Sequence, residues 1–354
     1  MIKRFVAPLL ALVLLFLCLP VSAEVTEPTQ QYVQAIELYK GALALQSWLD
    51  GELTDNAGRG AEWYALALIK RAPTLDFTRY EAALRERLLS GGITAPATKL
   101  KCALVLACLG SSPALVQATL DEAIGQHDLL MAWVFGLHVL NAGYTAADHT
   151  AESVVETILA KKNADGGWSA TGNTSDVDVT AMTLQALAPN RSLPGVGDAV
   201  DGALALLSSR QLESGGFQSY GVENAESSSQ VILALTSLGL DAEVAGFAGG
   251  YERILSGLSQ FATASGGFSH QIGGDVNELA TSQAYLALSS VLAVRGGKSS
   301  VYLPDVARGS FAPTASEGRF PFVVLYIAVP VLIASTVLFI VLKRKRERTA
   351  RAPK

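Results

Sequence analysis

The chain has 354 residues, of which 50% are apolar and 17% charged, and its formal net charge is −5. This apolar fraction excludes intrinsic disorder, and three cysteines are too few for a disulfide scaffold. The mean hydropathy of +0.32 is too high for an ordinary soluble domain, so we expect apolar residues to be concentrated in particular segments.

Residues 1–23 have the pattern of a secretory signal peptide. Lys3 and Arg4 form a basic start, a long apolar run follows, and Val21-Ser22-Ala23 fits the small-residue rule for cleavage. An uncleaved N-terminal anchor helix is the alternative. The sequence therefore predicts export of the rest of the chain.

Residues 24–296 have the pattern of a helical domain. Alanine and leucine are abundant, apolar residues recur at steps of three and four, and glycine, proline, serine or aspartate interrupt the segments. The periodicity predicts about twelve helices, which short turns would pair into six antiparallel hairpins. Their predicted ranges are 28–50, 60–71, 75–90, 96–109, 113–125, 128–141, 146–161, 177–188, 196–211, 225–238, 242–262 and 277–294.

Three segments of this domain share one pattern, a double glycine and an aromatic residue followed by an acid and a hydroxyl residue. The aromatic positions lie about 50 residues apart, a spacing that fits two helices and two turns. We expect the glycines to form the turn, the aromatic residue to pack it, and the acid to lie near the start of the next helix. The three copies are Gly166-Gly167-Trp168 with Asp178 and Thr180, Gly215-Gly216-Phe217 with Glu226 and Ser228, and Gly266-Gly267-Phe268 with Glu278 and Thr281.

These repeats resemble those of the α/α-toroid superfamily of terpene cyclases and protein prenyltransferases. The run from Asp165 to Trp168, with the run from Asp176 to Pro189, is more closely similar to bacterial exported proteins with prenyltransferase and squalene-cyclase repeats. That group is similar to the α-domain of cobalamin carriers. The resemblance implies an all-α fold, an α/α toroid of about six helical hairpins.

The enzymatic motifs of these relatives are incomplete. Class II terpene cyclases use Asp-x-Asp-Asp, whose middle acid protonates the substrate, and the chain has Asp176-Val177-Asp178-Val179. Asp178 matches the proton donor, but the last acid is missing. The alternative interpretation is that Asp176 and Asp178 cap a helix, and only if the protein is an enzyme do we predict Asp178 as its catalytic acid.

The zinc site of prenyltransferases and the thioester of complement-type toroids are not supported either. Zinc activation of a thiol requires a cysteine that would follow Asp176, and Asp178 occupies its place. Cys102 and Cys108 lie on one predicted helix, so we expect them to be structural. We predict no metal and no cofactor. The resemblance alone makes cobalamin a candidate ligand, although the carriers hold it against a second, β-rich domain, and from this sequence we expect no such domain.

The C-terminal residues have the pattern of a membrane anchor. The predicted segments are a stalk-like linker over 297–319, a transmembrane helix over 320–342 and a basic tail over 343–354. The run from Phe322 to Leu342 has no charged residue and is long enough to cross a bilayer, at about 32 Å. The tail carries seven basic residues and one glutamate, so we expect it in the cytoplasm and the toroid outside.

The charge distribution and the converging helix starts lead to a functional hypothesis. Once the tail and the N-terminal Lys3 and Arg4 are set aside, the remaining residues are strongly acidic, which argues against nucleic-acid binding. We predict a non-catalytic domain that binds a small ligand or an extracytoplasmic partner protein at the mouth of the ring. The alternatives are a cyclase-like enzyme and corrinoid capture with a partner's β-domain. The predicted binding residues are Glu62, Trp63, Tyr64, Met131, Trp133, Asp176, Asp178, Thr180, Glu226, Gln230, Glu278 and Gln283.

Overall fold

The computed structural model of the protein describes residues 28–42, 44–240 and 242–304, and this part of the chain is mostly helical. The all-α prediction is therefore confirmed. One two-stranded antiparallel hairpin, β1 Gln218–Ser219 and β2 Val222–Glu223, interrupts the helices. The helices are α1 Pro28–Tyr39, α2 Leu45–Trp48, α3 Glu62–Arg71, α4 Thr78–Leu89, α5 Pro96–Leu109, α6 Pro113–Ala123, α7 Leu130–Asn141, α8 Ala151–Ala160, α9 Val177–Leu187, α10 Val196–Ser209, α11 Ala225–Leu238, α12 Gly250–Ser259 and α13 Glu278–Arg295.

Local sequence explains where these helices begin and end. Proline occupies the first turn of α5 and α6, where its missing N–H costs nothing. Gly110 and Gly239 end α5 and α11 in the left-handed conformation, which a residue without Cβ adopts at little cost. Asp176, Asn224 and Asn277 cap α9, α11 and α13 through their side-chain oxygens.

Six of the helices pack in a cyclic order. Helix α3 packs on α5, α5 on α7, α7 on α9, α9 on α11, α11 on α13, and α13 packs on α3 again. These inner helices are buried on nearly all sides because the remaining helices cover them; α1, for example, packs on α13 and α10 on α9. Burial on both sides explains why their sequences are so rich in alanine and leucine.

The double glycines hold the outer layer close to the turns. A Cβ on Gly215 would collide with the backbone of Arg253 in α12, and one on Gly266 with the carbonyl of Ala35 in α1. Both glycines also have positive φ, so two separate constraints exclude a side chain there. The contact of Gly266 with α1 joins the last repeat to the first helix.

Side-chain contacts show which helix ends lie together. Starts of inner helices lie together where Lys40 contacts both Tyr64 of α3 and Glu278 of α13, and where Asp178 of α9 lies beside Ser227 of α11. We call this end of the inner helices the mouth. The C-terminal end of the inner helices, which includes Lys70 of α3 and Ser237 of α11, is called the base.

Two predicted helices differ most from the structure, and one hairpin was not predicted. The predicted helix 28–50 is interrupted, because α1 ends at Tyr39 and Leu45–Trp48 continues into a π-helix over Leu49–Leu53. The predicted helix 242–262 begins only at Gly250, where Gly249 and Gly250 both have positive φ. Its preceding segment forms turns instead.

The predicted domain boundaries can be compared with the structure only in part. The predicted signal peptide 1–23, transmembrane helix 320–342 and tail 343–354 lie outside the described residues. Within the described residues no helix has both the length and the apolar character needed to span a bilayer. The predicted linker 297–319 is described only to Pro304, and there Val301 and Tyr302 are buried. The packed domain thus extends beyond residue 296.

Candidate functional site

The three repeats build the same hydrogen-bonded turn at the mouth. In each copy, the backbone N–H of the buried aromatic residue donates to a hydroxyl of the following inner helix. The distances are 2.9 Å from Trp168 to Thr180, 3.2 Å from Phe217 to Ser228 and 3.0 Å from Phe268 to Thr281. Thr180 is fully buried and also donates to the Trp168 carbonyl. Its described contacts are therefore structural.

The first repeat brings three predicted acids together. Asp178 lies beside Asp176 and Glu226, and its carboxylate also faces Ser227 and Ser219. Burial raises the pKa of Asp178 to about 6; the nearby hydroxyls of Ser227 and Ser219 oppose the shift, and the two neighbouring acids add to it. One carboxylate oxygen of Asp178 is buried and has no hydrogen-bond partner among the described residues.

The other two acids of this cluster have assigned partners. Asp176 is the N-cap of α9, because its Oδ1 accepts from the backbone N–H of Val179 at 3.1 Å. Glu226 is nearly buried, and its Oε2 lies 2.9 Å from Nδ1 of the half-exposed His270. Of these three acids, only Asp178 lacks such a partner within the described part of the chain.

A cavity of about 550 Å³ opens beside the acid cluster. Its walls are the loop that includes Asp176, the end of α10 with Arg210 and Gln211, and the β1–β2 hairpin. Tyr220 at the hairpin tip is 84% exposed and adopts a positive φ of 51°. The cavity therefore combines the acid Asp176, the guanidinium group of Arg210, side-chain amide groups and an exposed aromatic ring.

A chain of three glutamines crosses from α9 to α13. The side-chain nitrogen of Gln185 donates to Oε1 of Gln230 at 2.9 Å, and that of Gln230 donates to Oε1 of Gln283 at 2.8 Å. All three side chains are buried. The predicted ligand residues Gln230 and Gln283 are thus joined, and their amide groups already bond to each other.

A second charged group lies where α3 and α13 start. Lys40 bridges Glu52 at 2.5 Å and Glu278 at 2.9 Å, and its ammonium group lies 5.4 Å from the centre of the Tyr64 ring. Burial acts to lower the pKa of Lys40, but its hydrogen bonds to the two glutamates outweigh burial and raise it. Burial, reinforced by the charge of Glu278, raises the pKa of Tyr64. A cavity of about 300 Å³ adjoins this group.

Glu62 and Trp63 form a third group, with Lys101. Glu62 is fully buried and accepts hydrogen bonds from the backbone N–H groups of Gly58 at 2.6 Å and Gly60 at 3.1 Å. Lys101 lies 3.9 Å from the Glu62 carboxylate and 4.5 Å from the centre of the Trp63 ring. These contacts fix the loop before α3, so Glu62 has a local structural role.

Met131 and Trp133 belong to another region of the mouth. Trp133 packs edge-on against His149, and its ring nitrogen donates to Asp128 at 3.0 Å. Met131 is partly buried against the core. No described contact joins either residue to the acid cluster, so the twelve predicted residues do not form one continuous site.

Several residues that complete these groups were not predicted. Ser219 lies in strand β1 and His270 in the loop after Phe268, and their proximity to Asp178 and Glu226 depends on the tertiary fold. Lys40 lies about 240 positions before Glu278, so no local pattern connects them. Ser227, by contrast, lies next to the predicted Glu226, and its position in the first turn of α11 was a usable signal.

The described residues do not assemble a metal site, since no group of three His, Cys, Asp or Glu side chains with suitable geometry occurs among them. Cys102 and Cys108 are buried and unbridged within α5. No protein-family model matches the chain, and no curated protein is significantly similar to it.

Proposed function

We propose that the chain is a non-catalytic binding protein, an α/α toroid whose mouth binds a small ligand that carries an ammonium group. The cyclic packing of six inner helices and the three matching turns support the toroid. The apolar segments 1–23 and 320–342 support export and membrane anchoring. In this proposal the toroid is extracytoplasmic.

One comparison among the repeats carries the binding proposal. Each repeat places an acid near the start of its inner helix, and two of these acids contact a basic side chain of the chain itself. Glu226 pairs with His270, and Glu278 pairs with Lys40. Asp178 has no ion pair with Lys, Arg or His in the described part of the chain. A ligand ammonium group would give the first repeat the basic partner that the side chains of His270 and Lys40 give the other two.

The cavity gives such a ligand access to this position. Asp176 and Ser219 line it, and both lie against Asp178. An ammonium group between Asp176 and Ser219 would stabilise ionised Asp178, because an opposite charge a few ångströms away favours the charged form. The exposed ring of Tyr220 offers a face to the apolar or cationic remainder of the ligand.

The surroundings of Asp178 favour binding over cyclase chemistry. A cyclase acid has to face an apolar cavity whose aromatic rings stabilise carbocations. The groups that act on Asp178 are instead hydroxyls and carboxylates, from Ser227, Ser219, Asp176 and Glu226. A carbocation would have no aromatic partner among these groups.

Calorimetric titration of the full-length chain in detergent with spermidine tests the proposal. Spermidine should bind at pH 7.5, and Asp178→Asn should weaken binding about tenfold or more, as expected for losing a charge-assisted contact. Asp148→Asn is the matched control, because Asp148 is an exposed acid outside the cluster. Its binding should equal that of the unmodified protein.

Two outcomes would contradict the proposal. Equal spermidine binding by Asp178→Asn and the unmodified protein would remove the acid cluster from the site. Turnover of a polyprenyl substrate that disappears in Asp178→Asn would make Asp178 a catalytic acid. A lysine-bearing partner protein that competes with spermidine would instead identify the source of the ammonium group.

A further inference from the structure

Residues 298–304 cross the base of the helical ring. Lys298 donates to the backbone carbonyl of Lys70 at 2.6 Å, and the Lys70 ammonium group donates back to Ser299 at 3.0 Å. Ser300 lies 3.2 Å from Ser237 of α11, oxygen to oxygen. This segment, which we call the closing segment, therefore contacts the ends of α3 and α11.

The third contact of the closing segment is with α7. The Tyr302 ring lies 4.6 Å from the His138 ring, centre to centre, and both side chains are buried. In the cyclic order of the inner helices, α3, α7 and α11 are alternate members. A segment that touches three alternate members of a ring of six must pass over its centre, so the closing segment covers the base rather than its rim.

Two features of this contact indicate that it can be released. The buried Tyr302 hydroxyl has no hydrogen-bond partner among the described residues, so docking leaves a polar group unsatisfied. His138 is buried beneath Tyr302 on the side that the closing segment covers. An imidazole in this position is docked in its neutral form, because a charged ring would have to be desolvated.

We propose that the closing segment is a pH-responsive plug, which leaves the base of the ring when His138 takes up a proton. This goes beyond ligand binding at the mouth, because it concerns access to the opposite end of the ring. The charged groups that bond the closing segment to α3 are Lys70 and Lys298, both positive. A protonated His138 would place a further positive charge, buried, at the contact with α7.

The expected size of the effect follows from linkage. Burial alone lowers the pKa of docked His138 to about 3, whereas the ordinary value is 6.5. At pH values between these two pKa values, His138 is therefore protonated more often in the released state than in the docked state. Docking weakens as the pH falls below 6.5. At pH 5 the equilibrium should shift about 30-fold toward release, relative to pH 7.5.

Hydrogen–deuterium exchange of the full-length chain in detergent measures this directly. After correction for intrinsic exchange rates, protection of the amides in 298–304 should fall about 30-fold from pH 7.5 to pH 5. Amides in the middle of α5 serve as the internal reference, since their protection reports unfolding of the whole domain. His138→Gln, which cannot take up a proton, should lose the pH dependence, and His127→Asn, a change at an exposed histidine, should keep it.

The unmodified protein alone can overturn the proposal, whatever the variants do. Equal protection of 298–304 at both pH values would show that His138 does not control docking. Equal loss of protection in α5 would show acid unfolding of the domain instead of local release. A pH dependence that persists in His138→Gln would assign the proton to another group.

Discussion

Replacing Thr180 with valine tests the structural role of the repeated hydroxyl. Valine has nearly the same shape but cannot form the two hydrogen bonds that Thr180 makes with Trp168, at 2.9 and 3.0 Å. The Trp168 carbonyl keeps a second partner, the N–H of Asp176. The Trp168 N–H, however, is left buried and unpaired.

The expected loss of stability in Thr180→Val follows from these contacts. Two hydrogen bonds are lost, at about 1 kcal/mol each, and the orphaned N–H adds about 1 kcal/mol more. The Trp168 carbonyl keeps its hydrogen bond from the Asp176 N–H, which reduces the sum. We therefore expect the free energy of unfolding to fall by about 2 kcal/mol. Urea denaturation followed by circular dichroism measures this value. The slope of the unfolding free energy against urea concentration should be the same in the variant and the unmodified protein.

Thr180→Ser is the matched control, because it keeps the hydroxyl and should cost less than about 1 kcal/mol. If Thr180→Val lowers stability by less than 0.5 kcal/mol (a threshold of about half a hydrogen bond), the bond does not stabilise the turn. A variant that keeps its stability but loses spermidine binding would make Thr180 a ligand contact instead.

Three further predictions concern packing, protonation and thiol access. Gly257→Ala should destabilise the fold by about 2 kcal/mol or more, because the new Cβ would collide with the backbone of Gly216. In Gly202→Ala the new Cβ meets no atom within 4 Å, so this change should stabilise α10 by up to about 1 kcal/mol. Thermal unfolding of the two variants measures the difference. Asp178→Asn should raise the free energy of unfolding by about 1 to 3 kcal/mol at pH 7.5 and have little effect near pH 4. The reason is that a carboxyl whose pKa is raised in the folded state destabilises the fold as the pH rises from 3.8 to about 6. Equal effects at both pH values, measured by urea titration, would contradict this. Cys102 is buried and its pKa is raised by burial, so iodoacetamide should not label it without denaturant, which mass spectrometry checks.

The helical pattern was predictable because the inner helices carry a strong local signal. Their apolar periodicity and their capping residues lie within a few positions of each other, and the predicted bounds of α5 and α11 agree with the structure. The β1–β2 hairpin left no such signal, since its strands have two residues each. A strand that short shows no alternation of polar and apolar residues.

The closing segment shows why tertiary contacts escaped prediction. Residues 297–304 contain glycine, lysine, serine and proline, a composition typical of a linker. Val301 and Tyr302 are buried because the closing segment packs against helices from distant parts of the sequence, with Tyr302 on His138 of α7. The same reason applies to Lys40, whose partner Glu278 comes from the other end of the domain.

The acids at the mouth have two possible explanations, helix capping and ligand binding, and the structure separates them at Asp178. Asp176 already caps α9, and Asn224 and Asn277 cap the equivalent helices, so capping does not need the second acid. A carboxylate in the first turn should be stabilised by the helix dipole, which lowers a pKa. The pKa of Asp178 is raised instead, because burial and two neighbouring acids outweigh the dipole. A group that costs stability and is redundant as a cap is more consistent with binding than with folding.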